Sequence, residues 1–380
     1  MILQQTTQTT PPPDVVDFGV GQPGLDLLPL ELLKDASATR FAQGDPSFLA
    51  YGAEQGDGYL RTSLAAFLSQ AYSMPVNPEH LFITAGASQS LDWLCTLYTQ
   101  PGDTIFIEEP SYLYAFRIFS DHRLKVVGIP TDENGIIFEA LAEALRRERP
   151  AFVYAIPTFQ NPTGTTLPPL RRERLAELSR AYNILLIADE VYHCLHFDVP
   201  PPRPLAAHTA EGNIVSLGSF SKILAPGLRL GWIQGPTHIL QRLTLSGVVD
   251  SGGGLNPFPS AVVRTVLEEG RLQGFVDQLR LTYRTRAQAL SAALRRELHE
   301  WVTFREPQGG FFVWAQLPDS MDATQLRTEA ERFKVAFQPG ERCSSRSQLR
   351  NCMRLSFAYY DVPRLQAGVA RLHEALIAHG

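Results

Sequence analysis

The chain has 380 residues, of which 44% are hydrophobic and 19% are charged, a balance that predicts a large buried core and excludes disorder as the dominant state. Its 34 basic and 39 acidic side chains give a net charge of −5, so the chain carries no overall basic footprint for nucleic acid. It contains no run of about 18 apolar residues, and its polar start lacks Lys and Arg. We therefore expect no membrane span and no signal peptide, and we expect a cytoplasmic protein.

Cysteine and lysine are both scarce. The cysteines are Cys95, Cys194, Cys343 and Cys352, and the lysines are Lys34, Lys125, Lys222 and Lys334. Because no two cysteines form a C-x-x-C pair, neither a metal site nor a disulfide framework is predicted, and we expect thiols in a reducing compartment. Because arginine supplies nearly all of the positive charge, chemistry that requires an amine has few candidates.

The first two thirds of the chain predict alternating strands and helices. Residues 1–13 form a polar arm that ends in three prolines, residues 15–24 a short strand that runs into a glycine-rich turn, and residues 57–72 a helix. The strands that follow are 81–84, 104–109, 124–129, 151–157, 184–189, 213–218 and 229–234, and the helices between them are 87–99, 112–121, 138–148 and 168–182. These strands are almost continuously apolar, which is typical of a largely parallel sheet with both faces buried.

The pattern changes after about residue 258. The remaining predicted elements are a long helix over 271–298, strands over 311–317 and 352–357, and helices over 322–333 and from about 363. We predict an α/β fold, in which a large domain has a mostly parallel seven-stranded sheet sandwiched by helices and a smaller domain is α+β. The predicted boundaries give residues 1–45 to an N-terminal arm and part of the small domain, 46–280 to the large domain and 281–380 to the small C-terminal domain.

A glycine-rich segment near the start matches the G-x-G-x-x-G pattern of dinucleotide-binding proteins through Gly19, Gly21 and Gly24. Pro23 lies where the phosphate-binding helix of that motif should begin, and the segment lies outside the regular strand–helix series. The pattern therefore indicates a turn rather than a dinucleotide site.

Polar residues follow two of the predicted strands. Ala87 and Ser88 begin a helix, where free backbone N–H groups and the helix dipole suit a phosphate; the alternative is that Ser88 is a simple helix cap. Asp189 ends a fully apolar strand, where an ionised carboxylate is costly unless it is paired. Because ligands of open α/β sheets lie at the carboxyl ends of strands, we expect a cationic group of a cofactor beside Asp189, and the alternative is a helix or turn cap.

The segment 219–231 gives the strongest signal. Pro226 breaks any helix between Lys222 and Arg229, so these two cations do not form a helical charge stripe. Hydroxyls, backbone N–H groups and arginine are good phosphate ligands, and lysine in an apolar setting can form a Schiff base. An ordinary surface lysine is the alternative, which the scarcity of lysine disfavours.

This segment, SFSKILAPGLRLG, fits the pattern S-x-S-K-x-x-x-P-G-x-R-x-G and resembles the lysine signature of class I and II aminotransferases, enzymes of fold type I that use pyridoxal 5′-phosphate (PLP). Other segments resemble further motifs of the family: PTFQNPTG, ADEVY, EEPSY, TAGASQ and MRLSF. The resemblance spans about residues 50 to 360 and is strongest to the branch of 2-aminoadipate and kynurenine aminotransferases.

The resemblance implies roles for the residues around the cofactor ring. Lys222 would carry PLP as a Schiff base and act as general base and acid in the proton shift. Asp189 would bond the pyridinium nitrogen, and Asn161 and Tyr192 would donate to the phenolate oxygen O3′. Tyr112 would stack on the ring, with plain core packing as the alternative.

The resemblance also implies a phosphate site and a substrate site. The phosphate would be held by the backbone N–H groups of Ala87 and Ser88 and by Ser219, Ser221 and Arg229. Tyr51 would reach the phosphate of the partner subunit, which implies a homodimer. Arg354 would clamp the substrate α-carboxylate, with Asn161 and Gly21 beside it; the alternative for Arg354 is a surface salt bridge.

The predicted function is PLP-dependent transfer of an amino group from an L-amino acid to a 2-oxo acid by a ping-pong mechanism. One alternative is a lyase of the C–S β-lyase type on the same scaffold, and another is a ligand-sensing domain of a transcription factor, which would need a DNA-binding module. No second basic residue is visibly available for a distal carboxylate, so an acidic amino donor is not predicted. The Gly252–Gly254 run is either a mobile loop near the site or a flexible connector.

Overall fold

Strands and helices alternate through the large sheet as the sequence predicts. The structure is a computed structural model that describes residues 7–210 and 212–379. Its strands are β1 (Val16–Asp17), β2 (Leu81–Thr84), β3 (Thr104–Glu109), β4 (Lys125–Asp132), β5 (Gly135–Ile136), β6 (Phe152–Ala155), β7 (Leu185–Asp189), β8 (Ile214–Ser219), β9 (Gly231–Gln234), β10 (Thr303–Phe304), β11 (Phe312–Gln316), β12 (Val335–Ala336), β13 (Gln338–Pro339) and β14 (Cys352–Ser356). Its α-helices are α1 (Leu30–Ala42), α2 (Gly58–Tyr72), α3 (Ala87–Tyr98), α4 (Leu113–Asp121), α5 (Phe138–Arg147), α6 (Pro169–Tyr182), α7 (Phe220–Ile223), α8 (Thr237–Thr244), α9 (Gly247–Gly252), α10 (Pro257–Glu268), α11 (Arg271–Glu297), α12 (Ala323–Arg332) and α13 (Val362–His379).

The large sheet has the strand order β2-β9-β8-β7-β6-β3-β4-β5. The pairs from β8 to β4 are all parallel, whereas β9 runs antiparallel to both of its neighbours, so β2 again points the same way as β8. Every residue of β2, β6, β7 and β8 is buried, as expected for strands covered by helices on both faces. The seven predicted strands are confirmed, and the two-residue β5 adds an unpredicted antiparallel hairpin at one edge.

The remaining strands form two small sheets. One has the order β10-β11-β14-β13 and is antiparallel, and the other pairs β1 with β12 in parallel. The N-terminal strand thus joins the C-terminal part of the chain, which agrees with the prediction of a smaller α+β unit. The predicted domain boundary at residue 280 falls inside the continuous helix α11.

Three helices, α8 to α10, occupy a stretch that the sequence did not predict as helical. Residues 251–259 read as a loop, but α9 continues to Gly252 and α10 already begins at Pro257. The prolines of this segment lie in the first turn of α10, where the missing N–H group of proline costs nothing. Pro257, which the sequence suggests would interrupt a helix, is the first residue of α10. Among the described residues, no helix is both long enough and apolar enough to cross a membrane.

A glycine fixes the spacing of the strands that lead into the loop around Lys222. Gly218 in β8 pairs with Trp232 in β9, and a methyl group on Gly218 would overlap the indole ring. Trp232 is 3% exposed and packs edge-on against Phe220, with the ring centroids 5.2 Å apart. A side chain at position 218 therefore has no space unless the core strands move.

We expect the substitution Gly218→Ala to destabilise the fold by about 1–3 kcal/mol or more, because overpacking forces the two strands apart. The matched control is Gly274→Ala, because Gly274 lies in α11 with no atom within 4 Å of the added methyl group. That variant should gain about 0.5–1 kcal/mol from helix propensity. Thermal and urea unfolding of both variants measure the difference, and equal stabilities would contradict the close contact.

Candidate active site

The predicted catalytic residues meet at one edge of the large sheet. The parallel strands β3, β6, β7 and β8 all end at this edge, as β2 does. Tyr112 follows β3, Asn161 follows β6, Asp189 ends β7 and Lys222 lies in the short helix after β8. This is the edge at which ligands of open α/β sheets bind.

Asp189 is a buried carboxylate held by one phenol. The hydroxyl of Tyr154 in β6 donates to its Oδ2 at 2.7 Å, and the side chain of Asp189 is almost completely buried. Burial raises the pKa of Asp189, while the hydrogen bond from Tyr154 and the charge of Lys222 act in the opposite direction. The N–H group of Val191 lies 3.5 Å from Oδ1, so the predicted alternative of a turn cap accounts for only a long contact.

Tyr154 was not among the predicted site residues. Its strand reads as continuously apolar, and the phenol is the one polar side chain within β6. A buried tyrosine hydroxyl needs a partner, which is the signal that would have pointed to it.

Lys222 lies in an aromatic and largely apolar environment. Its Nζ donates to the carbonyl of Gly21 at 3.2 Å and lies 5.4 Å from the ring centroid of Phe311 and 5.8 Å from that of Tyr192. Burial lowers the pKa of Lys222 to about 8, and the negative charge of Asp189 partly offsets this effect. The amine is therefore far closer to its neutral, nucleophilic form at physiological pH than an ordinary lysine.

Arg354 in β14 faces the same space with an incomplete set of partners. Its Nη1 donates to Asn161 Oδ1 at 2.9 Å, its Nη2 donates to the carbonyl of Gly19 at 2.8 Å, and its guanidinium lies 4.1 Å from the ring centroid of Phe312. Its Nε is buried without a hydrogen-bond partner. Arg354 is 4% exposed, so the surface salt bridge considered from the sequence is wrong. A buried guanidinium held by neutral groups and one aromatic face suits an anionic ligand.

The glycine-rich segment near the start of the chain supplies acceptors for both cations of the site. Gly19 accepts from Arg354 and Gly21 accepts from Lys222. A methyl group on Gly21 would lie 3.1 Å from the ring of Phe312 and 3.6 Å from Nη2 of Arg354, so the backbone approaches closely only because this residue is glycine. The segment is a turn at the site rather than the start of a dinucleotide-binding helix, as predicted.

The first turn of α3 forms an anion cradle together with the loop after β8. Gly86 is the N-cap of α3 and Ser88 lies inside the helix, so the predicted alternative of Ser88 as the cap is wrong. A methyl group on Gly86 would lie 2.9 Å from Arg229 Nη2, which shows how closely the guanidinium approaches the helix start. Arg229 also donates to Ser221 Oγ at 3.4 Å, and Ser219 Oγ accepts from the N–H group of Ser221.

This cradle is open at the surface of the single chain. Ala87 is partly exposed, while Ser88 and Arg229 are exposed. The cradle contains the free N–H groups at the start of α3, the guanidinium of Arg229 and the hydroxyls of Ser219 and Ser221. These hydrogen-bond donors suit a phosphate.

Two tyrosines border the space between the cradle and Arg354. Tyr192 is buried, its hydroxyl is hydrogen-bonded to Asn161, and burial raises its pKa. Burial also raises the pKa of Tyr112 to about 12, and its hydroxyl is hydrogen-bonded to Ser88. Tyr112 thus connects the strand ends to the cradle instead of only filling core space.

Tyr51 is the one predicted site residue that the single chain does not bring to the site. It is 87% exposed, and the next residue, Gly52, forms a backbone bridge with Gly254. The N–H group of Gly254 donates to the carbonyl of Gly52 at 2.9 Å, and a methyl group on Gly254 would overlap the carbonyl of Ala53. Gly253 and Gly254 therefore pack closely against the backbone that follows Tyr51, whereas Gly252 is exposed at the end of α9.

Comparisons with known proteins identify the family. Residues 13–372 match the family described as aminotransferase class I and II, and the chain belongs to it. Aromatic-amino-acid aminotransferase 1 of Thermococcus litoralis is 32% identical over 96% of this chain and 88% of its own length. LysN, the α-aminoadipate aminotransferase of Thermus thermophilus, has a crystal structure in complex with N-(5′-phosphopyridoxyl)-L-leucine, with a TM-score of 0.88 and 32% identity over 96% of this chain and 93% of that chain.

The crystal structure of Pyrococcus horikoshii kynurenine aminotransferase in complex with PMP gives a TM-score of 0.90 and 31% identity over 96% of this chain and 91% of that chain. The predicted family, branch and enzyme class are confirmed, and the chain is an aminotransferase of fold type I. None of these relatives favours the lyase alternative.

We expect the amine of Lys222 to react at a lower pH than the other lysines when the protein carries no ligand. With a pKa of about 8, half of the Lys222 amine is neutral near pH 8, whereas an unperturbed lysine with a pKa of about 10.4 is less than about 1% neutral there. Acetylation of each lysine is measured by peptide mass spectrometry from pH 6 to 11, with the exposed Lys34, Lys125 and Lys334 as internal standards.

In the variant Asp189→Asn the midpoint for Lys222 should fall further, because the substitution removes the negative charge that favours the ammonium form. If acetylation of Lys222 and of the three surface lysines depended on pH in the same way, the result would contradict the buried environment assigned to Lys222.

Proposed function

We propose that this aminotransferase binds PLP at Lys222 and uses Arg354 to select substrates with an α-carboxylate. The observation that carries the proposal is the convergence of a lysine of lowered pKa, a buried carboxylate and a buried guanidinium with an unpartnered Nε. The solved structures of LysN with a phosphopyridoxyl-leucine adduct and of the kynurenine aminotransferase with PMP support the same cofactor for this chain.

The residues of the site fit the cofactor. The open cradle formed by Ala87, Ser88, Ser219, Ser221 and Arg229 has the donors that a phosphate requires. Asp189 supplies the buried negative charge that would hold a pyridinium nitrogen protonated. The hydrogen bond from Tyr154 orients this carboxylate and lowers its pKa, and so opposes the rise in pKa that burial causes.

When bound, PLP supplies a carbonyl for the substrate amine and a ring that accepts electrons from the substrate Cα. The chain would move the proton: the amine of Lys222, half of which is neutral near pH 8, would take the proton from the substrate Cα and later return it to the neighbouring carbon. Asn161 and Tyr192 would donate to the ring oxygen O3′, and Tyr112 would cover one face of the ring. Each of these side chains is held by a neighbour in the site, as the hydrogen bonds to Asn161 and to Ser88 illustrate.

The substrate lies between Lys222 and Arg354 in this proposal. The guanidinium binds the α-carboxylate, and Asn161 and the backbone of Gly21 limit the space around it. Because the amino group leaves the first substrate before the 2-oxo acid enters, both substrates use the same clamp in turn. The amino donor is an L-amino acid and the acceptor is a 2-oxo acid.

We also propose that the enzyme acts as a homodimer, in which Tyr51 reaches the phosphate cradle of the partner. Tyr51 is exposed, and Phe41, Leu49 and Phe258 near it in the fold are 56%, 64% and 45% exposed. Exposed apolar residues of this size, beside a cradle that is open to solvent, support an interface between two copies. Sedimentation equilibrium of the purified protein tests the assembly.

The buried, unpaired cysteines of the described chain support the cytoplasm as the location of the protein.

The first test of the proposal is chemical trapping of the cofactor. We expect the purified protein to absorb visible light and to retain the cofactor covalently after reduction with borohydride. Peptide mapping should place the label on Lys222 alone. A variant Lys125→Arg serves as the control and should be labelled like the parent chain, since Lys125 is exposed at the start of β4. A label on any other lysine would overturn the assignment.

The second test addresses the clamp. We expect Arg354→Lys to lower the second-order rate constant for L-phenylalanine by about 10- to 150-fold, because a charge-assisted, two-pronged hydrogen bond is lost. The reaction with 2-phenylethylamine, which lacks the carboxylate, should change by less than about threefold. Both rates are measured as single-turnover changes of the cofactor absorbance.

The matched control is Arg350→Lys, because Arg350 precedes the same strand and forms an exposed ion pair with Asp322. It should leave both rates unchanged. An equal slowing of both reactions by Arg354→Lys would mean that Arg354 supports the fold or the cofactor instead of the substrate.

A further inference from the structure

Gln160 lies between the two chain segments that carry Tyr112 and Asn161. It directly precedes Asn161, is 2% exposed, and touches neither the anion cradle nor Lys222 through its hydrogen bonds. It was not among the predicted site residues. Its position raises the question of why a polar amide is buried behind the site.

The amide of Gln160 uses all of its hydrogen-bonding positions. Nε2 donates to the carbonyl of Pro110 at 2.8 Å and to Glu108 Oε2 at 3.3 Å. Oε1 accepts from the N–H group of Thr163 at 2.9 Å and from its hydroxyl at 2.8 Å. An amide has two donor and two acceptor positions, so none is left over. The reverse orientation would oppose like groups at Pro110 and at Thr163, so only one orientation is satisfied.

These bonds tie the turn that carries Asn161 to the segment that carries Tyr112. The backbone of Gln160 closes the same turn, because its N–H group donates to the carbonyl of Thr165 and its carbonyl accepts from the N–H group of Gly164. Glu108 adds a second connection, since the oxygen that accepts from Gln160 also accepts from the N–H group of Ile156 at 2.8 Å. A buried amide whose donor and acceptor positions are all satisfied holds the segments that it joins rigidly.

Asn161 in turn contacts Arg354, because its Oδ1 accepts from Nη1 at 2.9 Å. A displacement of the turn would therefore move the amide that faces the cofactor ring and loosen the guanidinium at the same time.

We infer that Gln160 is a positioning residue, whose amide sets Asn161 relative to Tyr112 and through Asn161 orients Arg354. The inference rests on the proposed function, because Asn161 is assigned there to the cofactor oxygen O3′. Gln160 itself contacts neither cofactor nor substrate and acts only through its neighbours.

The test compares Gln160→Met with Gln234→Met in the protein loaded with PLP. Methionine has a similar length and no strong hydrogen-bonding group, so the first variant removes the connection without emptying the space. Gln234 is also buried, at 4% exposure, but lies in β9 with its Nε2 3.5 Å from the carbonyl of Ala206, outside this network. The second variant therefore reports what the loss of a buried amide does to the fold alone.

We expect Gln160→Met to raise the pH midpoint of the visible absorbance change of the bound cofactor by about 0.5–1 unit, because a less well placed Asn161 stabilises the ionised O3′ less. KM for L-phenylalanine should rise by about 5- to 20-fold through the loosened Arg354, with a smaller change in kcat. Gln234→Met should leave the midpoint and KM unchanged even where it lowers the unfolding temperature. An unchanged midpoint and KM in Gln160→Met would overturn the inference.

A milder variant covers the case in which Gln160→Met does not fold. Thr163→Val removes one of the two hydrogen bonds to Oε1 and keeps the backbone donor, so the midpoint should shift in the same direction by about 0.2–0.5 unit. No shift in that variant would also overturn the inference. Failure of the proposed function gives a different result, because the parent chain itself would then lack the visible band and the borohydride-trapped label.

Discussion

The site is organised around the burial of one negative charge, that of Asp189. A carboxylate at the end of a wholly buried strand is unfavourable unless hydrogen bonds and a cation compensate for the lost water. Tyr154 supplies the hydrogen bond from the adjacent strand β6, and Lys222 supplies positive charge from the short helix α7 after β8. The same burial removes water from around Lys222 and lowers the pKa of its amine. Burial therefore changes the pKa of both groups.

Directly after Asp189, the buried ion pair between Glu190 and Arg172 holds the end of β7 in place. Glu190 is 3% exposed and accepts from the N–H groups of Leu205 and Ala206 and from the hydroxyl of Ser216. Arg172 lies 3.4 Å from Glu190 and donates to backbone and hydroxyl groups at the start of the loop that carries Asn161. Removal of one partner from such a pair leaves an uncompensated buried charge, so the pair restricts how far the Asp189 and Asn161 segments can separate.

The features that depend on a local sequence pattern could be predicted from the sequence alone. The bounds of β2 and β3 were predicted to the residue, because each is a short apolar run between turn signals, and the motifs placed Asp189, Lys222 and Arg354 around one space. Contacts between distant parts of the chain left no local signal. The approach of Gly21 to Lys222 joins positions 201 residues apart, and the pairing of Gly52 with Gly254 is equally remote. The helix start at Pro257 was missed for a different reason, since proline marks both helix breaks and first turns.

The distribution of lysines has a practical consequence for use of the enzyme on a solid support. Coupling chemistry directed at side-chain amines finds Lys34, Lys125 and Lys334 exposed, and Lys222 partly buried at the site. Lys125 is the first residue of β4, so it lies at the amino edge of the parallel strands, opposite the edge at which the site opens. A chain tethered through Lys125 alone, after replacement of the other two surface lysines by arginine, would face the bulk solution with its site.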